Sequence, residues 1–298
     1  MKTWSKWCLL LVILAVAGTV MGDDSPKVNA TAAILVNAET GDVLYSKNSH
    51  RIMAPASTTK MMTAILAIEN GNLDGKVRVS RTAAAKPGSS MYLHRGEVQT
   101  LRNLLYGLML ASGNDSAAAI AEAIGGSESH FARMMTEKAH KLGMKDTQYK
   151  NASGLPAAGH YTTAYDMAVL ARYCLKNPVF AQIVQTKVAA VSSSRSSAHR
   201  TLTNHNKLLW QYPYTTGIKT GYTRRAGKCL VASASQNGAS LISIVLKSDS
   251  MYNDSIQLFD FGFQKLTPVA ENSKSNGQEE NVTNEAPTEV EQKAQTPE

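Results

Sequence analysis

Strand-forming segments at opposite ends of the chain enclose a long stretch of helical periodicity. Near the N-terminus, residues 33–36 and 43–45 flank a glycine-containing turn and predict a β-hairpin. Near the other end, residues 230–234 and 241–246 are joined by Gln236-Asn237-Gly238, which is typical of hairpin turns. This order predicts an α+β fold, an α/β sandwich. Its antiparallel sheet is formed from both termini and flanked by helices, with an inserted, mostly helical lobe.

The helical lobe is predicted over about residues 80–180, after a first helix that begins at Ser57. In that first helix, apolar residues spaced i, i+3, i+4 and i+7 from Met61 form one face, and Asn70-Gly71 closes it. Further apolar stripes predict core helices over residues 101–108, 117–124, 131–142 and 163–175. A last helix is predicted from about Tyr252 and is expected to end at Gly262.

The two ends of the chain differ in composition from its body. Residues 1–22 read as a signal peptide, because Lys2 and Lys6 precede an apolar run over residues 7–20. Export to an extracytoplasmic location is therefore expected, in the periplasm, in the cell wall or as a secreted protein. No integral membrane anchor is expected after cleavage. The alternative is an uncleaved anchor.

The domain organisation follows from these ends. Residues 23–268 are predicted to form one domain. Residues 269–298 are acidic and nearly devoid of large apolar side chains, so they are predicted to form a disordered tail. This tail also lacks the apolar stripe that an amphipathic membrane helix would need.

Charge and cysteine usage exclude several classes of function. The net charge is +8, and the body is more basic still, because residues 271–298 carry seven Glu against two Lys. Attraction to an anionic cell envelope fits this charge. No nucleic-acid partner is expected, since the chain is exported and has no basic, aromatic-rich motif. Export permits a disulfide between Cys174 and Cys229, although two cysteines at such positions are more often buried free thiols, so their pairing stays open. The histidines and cysteines show no metal-ligand spacing, so neither a metal nor another cofactor is expected.

Three short strings carry the candidate chemistry: Ser57-Thr58-Thr59-Lys60, Ser112-Gly113-Asn114 and Lys219-Thr220-Gly221. In the first, Ser57 and Lys60 are three residues apart at a helix start and share one face. A serine hydroxyl becomes a good nucleophile only when a neighbouring base takes its proton. A lysine can be that base when burial and a nearby cation lower its pKa. Lys219 is that cation if the strings converge.

The other two strings supply candidate substrate contacts. Ser112 is predicted to relay a proton to a leaving amine, and Asn114 to hydrogen-bond the substrate backbone. Lys219 and Thr220 are predicted to hold an anionic group such as a terminal carboxylate, while Gly221 lets the substrate backbone approach closely. Taken singly, the strings also fit a helix cap, an interhelical turn and an edge strand. Their occurrence together, in this order, favours an active site.

The three strings match the S-x-x-K, S-x-N and K-T-G signature of active-site serine enzymes. The surrounding sequence resembles the D-alanyl-D-alanine carboxypeptidases, the low-molecular-mass penicillin-binding proteins of the peptidase S11 family, over about residues 30–265. The resemblance is carried by residues 53–64, 111–117, 151–156, 161–168 and 217–223. It implies a fold like that of penicillin-binding-protein transpeptidases and β-lactamases. The implied substrate is the peptidoglycan stem peptide, with β-lactam antibiotics as covalent inhibitors.

The resemblance also implies roles for individual residues. Ser57 would be the acylated nucleophile and Lys60 its base, with Ser112 and Lys219 assisting proton transfer and electrostatics. The backbone N–H groups of Ser57 and Tyr222 would form the oxyanion hole. Thr220 would help to bind the terminal carboxylate.

The sequence departs from the family pattern in two respects. Some relatives carry an Arg shortly before K-T-G that assists carboxylate binding, and the apparent match here is His205. The second departure concerns the region after the catalytic domain. Many relatives have a second, β-rich domain and a C-terminal amphipathic helix there, whereas residues 269–298 lack the apolar stripe of such a helix.

Three other functions remain alternatives. A class A-like β-lactamase needs a Glu that activates water, and no E-x-x-L-N string lies between Asn114 and Lys219. A DD-endopeptidase would use the same acyl-enzyme chemistry on cross-links. A non-catalytic wall-binding protein is disfavoured by the presence of Ser57, Lys60 and Lys219.

Overall fold

The computed structural model of the chain describes residues 25–193 and 196–266. The predicted signal peptide (residues 1–22) and acidic tail (residues 269–298) lie outside these residues, so the proposed domain boundaries remain predictions.

Nine strands and nine helices make up the described part of the chain. The strands are β1 (Ala32–Asn37), β2 (Val43–Lys47), β3 (Lys76–Arg78), β4 (Val98–Thr100), β5 (Val188–Ser193), β6 (Ser196–Thr203), β7 (Thr215–Thr223), β8 (Gly227–Gln236) and β9 (Ala239–Leu246). The helices are α1 (Lys60–Asn70), α2 (Arg81–Ala84), α3 (Leu101–Met109), α4 (Asn114–Gly125), α5 (Glu128–Lys141), α6 (Ala164–Leu175), α7 (Pro178–Gln185), α8 (Leu208–Gln211) and α9 (Met251–Leu266).

The main sheet joins the two ends of the described chain. Its five strands are antiparallel in the order β2-β1-β9-β8-β7, and Ala32 at the start of β1 pairs with Leu246 at the end of β9. Both predicted hairpins are present, as β1–β2 and β8–β9. The prediction of one antiparallel sheet formed from both termini, with helices inserted between its strands, is therefore confirmed.

The two faces of this sheet belong to two separate cores. In β1, Ile34 and Val36 point into the core shared with the helical lobe, while Ala33 and Leu35 point into the core beneath α9. This alternation follows from the period of two residues that places successive side chains on opposite faces of a strand. Helices therefore cover both faces of the sheet, and the predicted α/β sandwich is confirmed.

Helix α1 lies in the interior of the molecule. All eight residues from 60 to 67 are buried, although the sequence predicted a single apolar face beginning at Met61. The helix packs against the sheet-covering helices α6 and α7 and also against α3, α4 and α5 of the lobe, so its polar side is covered as well. Lys60, in the first turn of α1, is therefore removed from water.

The end of the last helix was predicted wrongly. Helix α9 continues through Gly262 to Leu266. A Cβ atom on Gly262 would lie 2.7 Å from side-chain methyl groups of both Leu241 and Leu35. The glycine therefore permits close packing of α9 on the sheet, and it does not terminate the helix.

Two further observations concern cysteines and hydrophobicity. Cys174 and Cys229 are buried and unpaired, which is the more common of the two states that the sequence left open. Within residues 25–193 and 196–266, no helix combines the length and apolar character needed to cross a bilayer.

The buried carboxylate of Asp254 in α9 anchors the segment that leads into β1. It accepts hydrogen bonds from the backbone N–H groups of Asn29 (3.1 Å) and Ala30 (3.0 Å) and from Ser248 Oγ (2.6 Å). Asp254→Ala is expected to lower the free energy of unfolding by roughly 2–4 kcal/mol, because it leaves buried donors without an acceptor. Denaturant unfolding measures this loss. The exposed Asp249→Ala is the control with the same charge change, and equal losses in both variants would contradict the account.

Candidate active site

A tight turn before α1 presents Ser57. Residues Ala56–Thr59 form one turn of 3-10 helix, and buried Ala56 has a left-handed backbone with φ of 49°. Such a conformation costs a non-glycine residue about 1 kcal/mol or more, so neighbouring structure must hold it. A Cβ atom on Gly154 would lie 1.8 Å from the carbonyl oxygen of Ala56, and one on Gly221 would lie 2.9 Å from Ser57 N. Only glycine at both positions allows the turn to be enclosed this closely.

Strand β7 brings Lys219 to the same place. Residues two apart in a strand share one face, so the side chain of Lys219 projects on the side where Gly221 meets the start of α1. Lys219 is 1% exposed, and its Nζ donates a hydrogen bond to the carbonyl of Thr220 at 3.1 Å. The first and third sequence strings therefore converge.

The side chain of Lys60 is surrounded by three oxygen atoms. Its Nζ lies 3.1 Å from Ser57 Oγ, 2.8 Å from Asn114 Oδ1 and 2.7 Å from the carbonyl oxygen of Ser153. Lys60 itself is 0% exposed. The side chain of Lys60 thus joins the first sequence string to the second.

Burial and charge repulsion set the protonation of the two lysines. Burial lowers the pKa of Lys60 well below its ordinary value; the charge of Lys219 lowers this pKa further, and Asp115 partly opposes the effect. Burial alone lowers the pKa of Lys219 to about 7. Desolvation disfavours the ammonium form, and like charges repel at short range. Both effects favour the neutral amine at Lys60.

A neutral Lys60 has a defined orientation in this site. The amine keeps two N–H donors and one lone pair. Asn114 Oδ1 and the Ser153 carbonyl cannot donate, so they take the two N–H groups. The lone pair then faces the third neighbour, the hydroxyl of Ser57. This arrangement can accept the serine proton.

The turn between α3 and α4 carries the second sequence string. Ser112 is buried with a left-handed backbone (φ of 58°) and lies two residues before Asn114. The backbone N–H of Asn114 donates to Ser89 O at 2.7 Å, and its Nδ2 donates to Pro87 O at 2.7 Å. Asn114 therefore holds Lys60 and the neighbouring loop at once. The contact of Asn114 with a substrate backbone remains a prediction. The second hydrogen on Nδ2 is the group that would make it.

The Ser153 carbonyl is a functional group that sequence reasoning missed. Asn151 Oδ1 accepts hydrogen bonds from the backbone N–H groups of Ser153 (3.2 Å) and Gly154 (2.8 Å), and its Nδ2 donates to Leu155 O (2.9 Å). This side chain shapes the turn that aims the carbonyl at Lys60. A backbone carbonyl has no signature in the sequence, although the asparagine and glycine of a tight turn do.

A buried histidine ties the same loop to the start of α1. The backbone N–H of Lys150 donates to His160 Nδ1 at 3.3 Å, so Nε2 carries the ring proton and donates to Thr59 Oγ1 at 3.0 Å. Burial lowers the pKa of His160 to about 4, with a smaller contribution from the charge of Lys150. The ring is therefore neutral near pH 7 and positions Thr59 beside Lys60.

The remaining predicted residues line the outer side of the site. Thr220 and Tyr222 belong to β7, which is an edge strand, and the side chain of Tyr222 is 64% exposed. An edge strand offers backbone N–H and C=O groups to an extended peptide.

Partial burial lowers the pKa of His205, and the charges of Lys219 and Lys60 lower it further. His205 is thus uncharged near neutral pH, unlike the arginine that some relatives carry there. Among the described residues, no three His, Cys, Asp or Glu side chains are grouped to hold a metal.

Comparison with known proteins identifies the family. The family model for D-alanyl-D-alanine carboxypeptidases, peptidase S11, matches residues 19–250. The chain belongs to the peptidase S11 family. It is 39% identical over 244 residues to D-alanyl-D-alanine carboxypeptidase DacF of Bacillus subtilis, which covers 79% of this chain and 62% of DacF. It is 34% identical to the D-alanyl-D-alanine carboxypeptidase of Streptomyces sp. K15, which covers 80% of this chain and 88% of that relative.

Solved structures of family members share the fold. The crystal structure of the Streptomyces K15 DD-transpeptidase superposes with a TM-score of 0.76 at 32% identity, covering 80% of this chain and 99% of the other. A D-alanyl-D-alanine carboxypeptidase of Mycobacterium tuberculosis gives a TM-score of 0.77 at 30% identity, covering 82% of this chain and 94% of the other. These neighbours confirm the predicted penicillin-binding-protein fold. The chain spans 62% of the length of DacF and 66% of Escherichia coli DacD.

The lowered pKa of Lys219 predicts a cost in stability. Between about pH 7 and the ordinary lysine pKa of about 10.4, the unfolded chain binds a proton that the folded chain lacks. The penalty is therefore largest at and below pH 7 and vanishes above about pH 10.4. Lys219→Met is expected to raise the free energy of unfolding at pH 7 by an amount on the order of 1–4 kcal/mol, while impairing the site.

Denaturant unfolding at pH 7 and near pH 10.5 tests this expectation. The matched control is Lys141→Met, at an exposed position on α5. A gain at Lys219 of equal size at both pH values, or no gain at all, would contradict the lowered pKa.

Proposed function

We propose that this protein is a serine-type D-Ala-D-Ala carboxypeptidase that removes the terminal D-alanine from peptidoglycan stem peptides. The observation that carries the proposal is the contact of Lys60 Nζ with Ser57 Oγ at 3.1 Å, in a buried site that lowers the pKa of the lysine. Membership of the peptidase S11 family supports the same conclusion.

The first half of the reaction is acylation. Ser57 gives its hydroxyl proton to the lone pair of Lys60 while Oγ attacks the carbonyl carbon of the penultimate D-alanine. The carbonyl oxygen becomes an oxyanion that accepts hydrogen bonds from the backbone N–H groups of Ser57 and Tyr222. The position of Gly221 against Ser57 N supports this pairing, because Tyr222 is the next residue of β7.

Collapse of the intermediate releases the product amine. The C–N bond to the terminal D-alanine breaks, and the proton held by Lys60 passes to the departing nitrogen, directly or through Ser112. Lys219 and Thr220 hold the terminal carboxylate during this step. His205 can only hydrogen-bond that carboxylate as a neutral ring, so the cationic contribution there falls to Lys219. Water then hydrolyses the Ser57 ester with Lys60 as the base.

β-Lactam antibiotics are expected to acylate the same serine. Their cyclic amide presents a carbonyl carbon and a nearby carboxylate, the two features that this site is built to engage. The ring amine stays attached after the bond breaks and hinders the entry of water. Stem peptides and β-lactams both lie outside the cytoplasm, which agrees with the predicted signal peptide over residues 1–22.

Transfer of the acyl group to an amine is the second candidate activity. The specific observation is the solved neighbour that is described as a DD-transpeptidase, at a TM-score of 0.76. Both activities share the acyl-enzyme and differ in the acceptor. Incubation of a stem pentapeptide with and without an added amino acid acceptor distinguishes them, because a transpeptidase converts part of the product into the exchanged peptide.

Removal of the nucleophile is the first test of the mechanism. Ser57→Ala is expected to abolish the covalent mass increase that penicillin causes in the intact protein, together with D-alanine release from a stem pentapeptide. Ser129→Ala, on the exposed face of α5, should retain both. A penicillin adduct on the Ser57→Ala protein would assign the nucleophile elsewhere.

Removal of the base is the second test. Lys60→Ala is expected to slow acylation by about a hundredfold or more, since a general base contributes that much. In the unmodified protein the acylation rate should rise with pH as Lys60 loses its proton. The plateau should be reached below the ordinary lysine pKa, because burial and Lys219 depress the pKa of Lys60. Stopped-flow measurements with a fluorescent penicillin give this profile.

The control for the base is Lys145→Ala, an exposed lysine outside the site that should keep the full profile. Near-normal acylation by Lys60→Ala at neutral pH would show that another group removes the serine proton.

A further inference from the structure

A small cationic pocket lies near the active-site turn, and its lining includes Ala54, which precedes that turn, and His160, which is hydrogen-bonded to Thr59. It has a volume of about 200 Å³, and Arg51, Arg225 and Lys247 line it together with Thr31 and the exposed apolar side chain of Ile52. No residue that lines this pocket is acidic. We refer to it as the Arg51–Arg225–Lys247 pocket.

The three cationic residues come from separate parts of the chain, and hydrogen bonds involving the backbone hold two of these segments together. Arg51 closes a turn through its N–H bond to Asn48 O (2.9 Å), while Asn48 Nδ2 donates to Thr31 O (2.9 Å). Lys247 follows β9, and its carbonyl accepts from Thr31 N (3.0 Å). Thr31 thus joins the segment of Arg51 to that of Lys247.

The turn that carries Arg225 is fitted against Lys247. A Cβ atom on Gly227 would lie 2.9 Å from Lys247 Cγ and 3.3 Å from its Cα. Gly227 also has a left-handed backbone with φ of 70°, so glycine is favoured there for two reasons. The β7–β8 turn therefore lies close to the Lys247 stem and brings Arg225 into the same pocket.

Arg51, Arg225 and Lys247 are all exposed residues that line one small pocket, where their like charges repel one another unless an anion joins them. Within residues 25–193 and 196–266, none of these three cationic groups takes part in an ion pair. Two guanidinium groups and an ammonium offer several N–H donors around one small volume, and arginine in particular matches the geometry of phosphate and carboxylate oxygens.

We propose that the Arg51–Arg225–Lys247 pocket binds a phosphate group. A phosphate ester carries a charge of about −1.5 to −2 near pH 7 and three strong acceptor oxygens, which suit three cationic donors. A carboxylate carries one charge and two oxygens and leaves the pocket under-neutralised. The lining of the pocket includes none of Ser57, Lys60 and Lys219. It does include Ala54 and Arg225, each of which lies three residues from a proposed oxyanion-hole residue.

The chain offers a matched pair of variants for the test. Arg225→Ala removes a lining cation, whereas Arg224→Ala removes the same charge from the adjacent exposed position, which does not line the pocket. Both variants should show the unmodified melting temperature in chloride buffer. Inorganic phosphate is then titrated at constant ionic strength, and the amide NMR shifts of Thr31 and Lys247 report on this pocket and not on the active site.

Saturable shifts are expected in the unmodified protein and in Arg224→Ala. Arg225→Ala should weaken binding by about tenfold or more, because a charge-assisted hydrogen bond is worth more than about 1.4 kcal/mol. Shifts that do not saturate, equal weakening in both variants, or acetate binding as tight as phosphate would overturn the proposal. The NMR titration does not depend on acylation of the protein. Its outcome is therefore independent of the proposed enzyme activity.

A second arm distinguishes the source of the phosphate. Vesicles of phosphatidylglycerol in phosphatidylcholine are compared with pure phosphatidylcholine in a co-sedimentation assay. Binding to the anionic vesicles that Arg225→Ala loses and Arg224→Ala keeps would identify a lipid head group. Phosphate binding without vesicle binding would identify a soluble phosphate ester. Either result supports a phosphate site.

Discussion

The burial of Lys60 beside Lys219 is the constraint on which the active site depends. A lysine that has lost its hydration and faces a second lysine is held near its neutral form, and a neutral amine is what a serine nucleophile needs. The oxygens of Asn114 and Ser153 take the two N–H groups, which leaves the lone pair for Ser57. The same burial reduces the stability of the folded chain, so packing elsewhere must compensate for it.

The fold supplies that burial through its topology. Because α1 packs between the helices α6 and α7, which cover the sheet, and the helices of the lobe, the residues of its first turn are buried. Strand β7 brings Lys219 to this turn from the far end of the sequence, and the loop around Ser153 approaches from a third direction. Each contributing segment is fixed by a glycine or a turn asparagine at the point of contact. With the α3–α4 turn that supplies Asn114, the site is a product of long-range packing among four separate segments.

The sequence was sufficient for the elements with strong local signals. Both hairpins and the long helices of the lobe followed from periodicity and turn residues. The three strings indicated Ser57, Lys60 and Lys219 as one site on the condition that the strings converge. The end of α9 was wrong because Gly262 resembles a helix terminator, whereas its role is to let the helix approach Leu35 and Leu241. The Ser153 carbonyl that accepts a hydrogen bond from Lys60 was missed because backbone groups leave no trace in the sequence. The pocket around Arg225 was missed because its cations are brought together only by tertiary structure.

The protonation of Lys60 can be measured directly. With lysine labelled by carbon-13 at Cε, the NMR shift of each lysine side chain reports its own titration, and Lys60→Arg identifies the signal of Lys60. We expect this signal to titrate well below the ordinary lysine pKa of about 10.4, and Lys219→Met to raise its midpoint. A Lys60 that titrates at the ordinary value, whether or not Lys219 is present, would show that burial and a neighbouring charge do not prepare the base.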